Sequence, residues 1–223
     1  MASNIVYHKL DELPAVLPLF PLRAALLLPR GELPLNIFEP RYLAMIEDSI
    51  RSHRLIGLIQ PTPEASDDEE RPALVRVGCA GRLTAFAETG DGRYLVTLTG
   101  VARFALVEEL TAATPYRQAR VAFDEFALDL APGEGQEDVD REALLKTLKD
   151  YLAANELEAD WDGIRRAPNE ALVNALAMMS PFGAREKQAL LEAPDLKSRA
   201  EILVAVTEME LAKARGDASS SLQ

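Results

Sequence analysis

Near residues 131–140 the hydrophobic period of this chain changes from about two residues to about 3.6, and that change narrows the folds open to it. Before it, LVRVGCAGRLTAFAE and RYLVTLTGVARFALVEEL alternate apolar and polar positions. The alternation puts Val75, Val77 and Cys79 on one strand face and Tyr94, Val96 and Leu98 on one face of a partner. Thr89-Gly90-Asp91-Gly92 between them predicts a hairpin turn, because glycine reaches positive φ without steric cost. After it, Leu144, Leu145, Leu148, Tyr151 and Leu152 recur at helical spacing.

Further strands are predicted at AVLPLFPL (15–22), whose prolines suit an edge or a late start, at LPLNIF (33–38), LIGLIQ (55–60) and YRQARVAFDEF (116–126). Gly81 and Gly100 predict bulges or bends inside strands. Pro40 opens a helix carrying Leu43, Ile46, Ile50, Tyr42 and Met45 and ending near His53. PTPEASDDEERP (61–72) reads as an exposed, mobile loop. Later helices open at Pro168 (with Leu172, Val173, Leu176, Met179), at Ser180-Pro181, and after an Asp195 cap (inward Leu196, Leu203, Val206, Met209). The expected organisation is a β-rich part over 1–130, a linker over 131–140, a helical part over 141–215 and a disordered tail over 216–223.

Charge excludes some functions. The 223 residues carry 36 acids against 24 bases, a formal net charge of −12. Nucleic acid is therefore not an expected partner, since phosphate binding needs a basic field, and anionic membrane surfaces are disfavoured for the same reason. The N-terminus has acids and prolines where a secretory signal has bases and an unbroken apolar run. Cys79 is the single cysteine, so no intrachain disulfide forms and a cytoplasmic location is expected.

No catalytic constellation emerges. Neither a phosphate-binding loop nor a dinucleotide fingerprint is present, and His8 and His53 stand alone, so no cofactor or metal is expected. Cys79 reads as a small buried apolar group and Ser180 as a helix cap. A hydrolase assembled from dispersed carboxylates, or from Ser180 with Lys187, is the remote enzymatic alternative. The unexplained feature is Glu39-Pro40-Arg41-Tyr42, at the join of a strand and a helix. It reads either as a polar latch fixing how the helix leaves the sheet, or as a place where Arg41 or Glu39 lines a groove for a peptide.

The run LPLFPLRAALLLPRGELPLNIFEPRYLAMIEDSI resembles the opening of the Lon protease N-terminal domain, and RVGCAGRLTAF followed by YLVTLTGVARFAL resembles its continuation. The likeness covers roughly residues 13–210. It implies an α+β fold, with a PUA-like β-barrel followed by a C-terminal helical bundle. It also implies a stand-alone, non-catalytic substrate-binding domain of bacterial type, lacking the ATPase and Ser-Lys peptidase modules of full-length Lon. The expected partner is a polypeptide, either an unfolded substrate or a protein, and the alternatives are an RNA-binding PUA-like module and an adaptor docking on an ATP-dependent protease. Arg23, Glu39, Arg41 and Arg82 are the candidate partner-binding residues. Oligomeric state stays open.

Overall fold

The computed structural model describes residues 6–66, 69–155 and 157–220, the last seven of these by backbone alone. It is an α+β structure in which helices follow a sheet. The strands are β1 (Val16–Pro21), β2 (Glu32–Ile37), β3 (Leu55–Ile59), β4 (Val77–Glu88), β5 (Tyr94–Leu110) and β6 (Gln118–Ala122), with α1 (Pro40–Arg51) between β2 and β3. They hydrogen-bond in the order β2-β5-β4-β3-β1-β6, and β6 also pairs with β5, so the ladder from β5 through β4, β3, β1 and β6 returns on itself. The 17-residue β5 makes this possible: its first half is flanked by β2 and β4, its second by β4 and β6.

The expected hairpin is present. Thr89 N–H donates to the Arg93 carbonyl, and Gly90 and Gly92 take φ of 78° and 85°. Register shifts at Ala80/Gly81 and Leu83/Ala85 break the β4–β5 ladder, the first beside the expected Gly81. Inside the circuit Phe104 is fully buried, and small neighbours make room for it: a Cβ on Gly78 would stand 2.5 Å from its ring, and Ala80, Ala102 and Ala119 join the same core.

Several expectations need correction. β1 is not an edge strand, since Val16–Pro18 pair with β6 and Leu19–Pro21 with β3. It tolerates Pro18 because Leu19 donates to Arg117 and Val121 to Ala15. Hydrogen-bonded pairs alternate in an antiparallel ladder, so Pro18 falls at a position that needs no N–H toward β6. Val75 precedes β4, and Val77 to Gly81 are buried on both faces rather than one. On α1 the buried face is Tyr42, Met45, Ile46 and Ser49, with Leu43 and Ile50 only half-buried.

The remaining helices are α2 (Arg141–Ala154), α3 (Trp161–Arg166), α4 (Asn169–Met179), α5 (Ala184–Glu192) and α6 (Leu196–Ser220). Asp140 caps α2 through Ala143 N–H (3.0 Å), and Asp195 caps α6 through Ser198 N–H (2.7 Å). The unexpected α3 begins at its own cap, Asp160, and Arg141 binds the carbonyls of Ile164 and Arg165 at its end. Ser180 does not open a helix: it ends α4, and α5 starts at Ala184. Met179, the last residue of α4, is 82% exposed and Met209 is 60% exposed, so neither faces inward. Three-residue steps from Leu203 slip behind the helical repeat of about 100° per residue, whereas Leu196, Ala200, Leu203, Thr207 and Leu211 keep one buried face. Helix α6 also runs through Ser220, covering most of the stretch expected to be disordered, while 221–223 lie outside the described residues.

The chain divides into two units, one running to Pro132 and including Phe182–Leu191, the other made of Gly133–Pro181 and the residues from Glu192. Helix α5, placed by its pattern with the helical half, thus groups with the sheet. Gln60 explains part of this. It accepts from Ala24 N–H (2.8 Å) and donates to the Ala184 carbonyl (3.0 Å) and Gln188 (3.1 Å), while Gln188 donates to the Val77 carbonyl (3.1 Å). Buried Arg103 does the rest. Asp129 holds its backbone N–H (2.8 Å), Nε (2.9 Å) and Nη2 (2.8 Å), and its Nη1 donates to the Leu191 carbonyl (3.1 Å).

Candidate functional site

Glu39-Pro40-Arg41-Tyr42 sits where β2 hands over to α1. Pro40 takes the first helical position, where its missing N–H leaves no bond unmade. Glu39 makes no side-chain cap to the helix. Its Oε2 instead receives Arg41 Nε at 2.9 Å and Nη2 at 2.8 Å. The Arg41 guanidinium lies 4.6 Å above the Tyr42 ring, and buried Tyr42 packs on Phe20 with ring centroids 4.4 Å apart. Burial raises the Tyr42 hydroxyl above its usual pKa, with the Arg41 charge opposing. The cluster is a latch between helix and sheet, and it also brings Arg41 to a cavity.

That cavity is a groove of about 340 Å³, whose polar lining includes Arg41, Glu70, Arg71, Glu109, Thr111 and Arg117. Each nitrogen of the Arg117 guanidinium is engaged: Nε (2.9 Å) and Nη2 bind Glu109, and Nη1 donates to the Pro72 carbonyl (2.7 Å). Arg71 is 70% exposed and stands 4.0 Å from Glu109. Tyr116 forms part of the wall and donates to Asp48 on α1 at 2.8 Å. Its pKa is pushed up to about 12, first by burial, then by the hydrogen bond to Asp48 and the charge of that carboxylate.

The four candidate residues do not converge. Arg82 belongs to a second groove of about 440 Å³, with Tyr7, Arg30, Glu32, Val101 and Leu130, which shares no lining residue with the first. There Arg82 Nη1 donates to the Tyr7 hydroxyl (2.9 Å) and the His53 carbonyl (3.2 Å). Arg23 lines neither groove and donates to the Ala65 carbonyl. Of the four, only Arg41, with Glu39 holding it, is placed at the first groove.

Among the described residues no cluster of His, Cys, Asp or Glu suits a metal ion, and no helix is long and apolar enough to cross a membrane. Cys79 is buried. Ser180 and Lys187 belong to different units, and burial holds the Lys187 ammonium below its usual pKa. The grooves offer arginine forks, carboxylates, hydroxyls and apolar walls, groups that can bind a polar ligand.

Residues 16–207 match the model of the ATP-dependent protease La (LON) substrate-binding domain. The chain belongs to this family. Relatives of this Lon-type domain include the Lon protease of Anaeromyxobacter dehalogenans, 29% identical over 215 residues that make up 92% of this chain and 24% of the relative. Lon protease 2 of Myxococcus xanthus is 30% identical over 87% of this chain and 24% of its own length. The chain therefore spans about a quarter of these relatives. The Lon N-terminal domain protein from Xanthomonas campestris shares the fold, with a TM-score of 0.60 and 22% identity over 85% of this chain and 97% of that one. The N-terminal domain of Mycobacterium avium complex Lon protease does so at a TM-score of 0.57 and 17% identity, over 86% and 98%.

Sequence reasoning missed Arg71, Glu109, Thr111 and Arg117 at the Lon-domain groove. Arg71 lies in the acidic stretch read as a solvated loop, Glu109 stands near the end of β5, and Thr111 and Arg117 flank β5 and β6 without a local pattern. What joins them is the return of β6 against β5, which brings Arg117 to Glu109, eight residues away.

Proposed function

We propose that this Lon-type domain is a non-catalytic module that binds polypeptides, in the form of unfolded segments or protein partners, within the cytoplasm. The observation that carries the reading is the match of most of the chain to a substrate-binding domain. Two open grooves on the sheet-bearing unit support it, because each combines apolar walls with charged and hydroxyl groups that suit a peptide backbone and mixed side chains. In this reading the closed ladder is a PUA-like β-barrel and the binding part is 1–130. The stretch 131–140 is a linker, 141–215 is mainly a helical bundle, and the tail follows. Arg41 with Glu39 and Arg82 rim the binding surfaces, and Arg23 orders the segment beside them. The ATPase and peptidase activities of full-length Lon are no part of this chain's role.

The test is fluorescence anisotropy of a labelled, permanently unfolded polypeptide titrated with the purified protein. The expected outcome is saturable binding in the micromolar range. Absence of association at about 50 µM protein overturns the reading.

A further inference from the structure

We infer that the groove beside Glu39–Tyr42 selects a carboxylate of the bound polypeptide, held by Arg41 and Arg71. This rests on the polypeptide-binding reading and names the chemical class that one of its grooves takes. The argument is an inventory of donors and acceptors. A guanidinium carries five N–H donors in a planar fork. Arg117 commits one donor from each of its three nitrogens to Glu109 and the Pro72 carbonyl, and is only 12% exposed. Arg41 places Nε and Nη2 on a single oxygen of Glu39, leaving its Nη1 edge without a hydrogen-bond acceptor among the described residues. Stacking on Tyr42 fixes the plane in which that edge is presented. Arg71 has its nearest described carboxylate at 4.0 Å, beyond hydrogen-bond reach.

Of the groove's carboxylates, Glu109 is held by Arg117, and Glu70 is exposed. Two guanidinium groups therefore open on the groove with donors in excess, and the complementary group accepts only. A monoanion fits better than phosphate, because Glu70 and Glu109 in the wall repel a second negative charge. A peptide offers that monoanion as an Asp or Glu side chain or as its C-terminus.

The test uses two pairs of labelled peptides on one extended, otherwise uncharged sequence: a free acid against an amidated terminus, and an internal Glu against Gln. In at least one pair the carboxylate peptide is expected to bind about tenfold tighter, the weight of one charge-assisted hydrogen bond. The pair that responds identifies the source. The preference should fall with added salt and collapse toward unity in both Arg41→Gln and Arg71→Gln, with Arg41→Lys recovering part of it. Arg71 is largely exposed, so its variant retains the fold, which circular dichroism checks. Equal binding of all four peptides, a preference unchanged in both variants, or competition by inorganic phosphate as strong as by acetate overturns the inference while leaving polypeptide binding in place. Failure of every peptide to bind removes the polypeptide reading itself, and this inference with it.

Discussion

Gly100 shows how little tolerance one position has. It faces the β1–β2 connection so closely that a Cβ there would stand 2.0 Å from the Leu28 carbonyl oxygen, which is backbone and cannot rotate away. Gly100→Ala is therefore expected to lower stability by about 3 kcal/mol or more in urea denaturation, a cost typical of forced backbone displacement. Tyr116 carries a pH signature. Its native pKa of about 12 lies above the ordinary 10.0, so the folded state holds the proton more tightly than the unfolded chain does. Its contribution to stability is complete below pH 10 and disappears as pH climbs through about 12. Ultraviolet titration should show a late-ionising tyrosine component, part of which moves to lower pH in Asp48→Asn, which removes the carboxylate that repels the Tyr116 tyrosinate. Coincident titration in both proteins would contradict this. The tyrosine's sequence neighbours do not announce the bond, because Asp48 is 68 residues away.

Among the elements, β2 has the exposed position. It ends the strand order and, among the described residues, pairs only with β5. Arg30, at a φ of 65°, and Gly31 together oppose Gly100: Arg30 N–H donates to the Gly100 carbonyl and Gly100 N–H to the Gly31 carbonyl. That arrangement is a β-bulge with its first residue left-handed. It sets the parity beyond it, so Pro34, opposite Thr97, falls at a non-bonded pair and turns its missing N–H to the free edge. The proline thus costs β2 no bond to β5 while denying an incoming strand a donor. Pro34→Thr is expected to keep the fold and to increase self-association several-fold in sedimentation velocity at high concentration. A monomer fraction equal to wild type would count against an edge-protecting role. The strand was readable from LPLNIF, but the direction of Pro34 was not, because parity is inherited from a bulge formed with a residue far along the chain.

For the whole molecule the decisive feature is that the chain returns to the sheet-bearing unit. Phe182 is 7% exposed, Leu190 0% and Leu191 4%, and they group with that unit. Truncation after Pro132 removes these side chains together with the Ala184 and Gln188 partners of Gln60 and the Leu191 carbonyl bound by Arg103. A chain ending there is expected to unfold at lower urea than the full protein, with weaker cooperativity, and a midpoint unchanged from wild type would refute this. Asp129→Ala in the intact chain should cost about 3–5 kcal/mol, since it strands the buried Arg103 guanidinium. The sequence pattern placed 182–191 with the helices because helical period reports only which face is apolar, never which surface that face will meet.

The amino-acid order alone determined the strand-then-helix succession, the Thr89–Gly92 hairpin, the Pro40 helix start, the Asp195 cap and the family, because each depends on residues within a few positions or on a contiguous motif. The tertiary structure alone decided the closure of β6 onto β5, the burial of both faces of β4, the return of α5, and the meeting of Arg41 with Arg71 at one groove. Those depend on pairings between distant segments, whose geometry is set by packing and by backbone hydrogen bonds that every residue but proline can make, and so leave almost no trace in local composition.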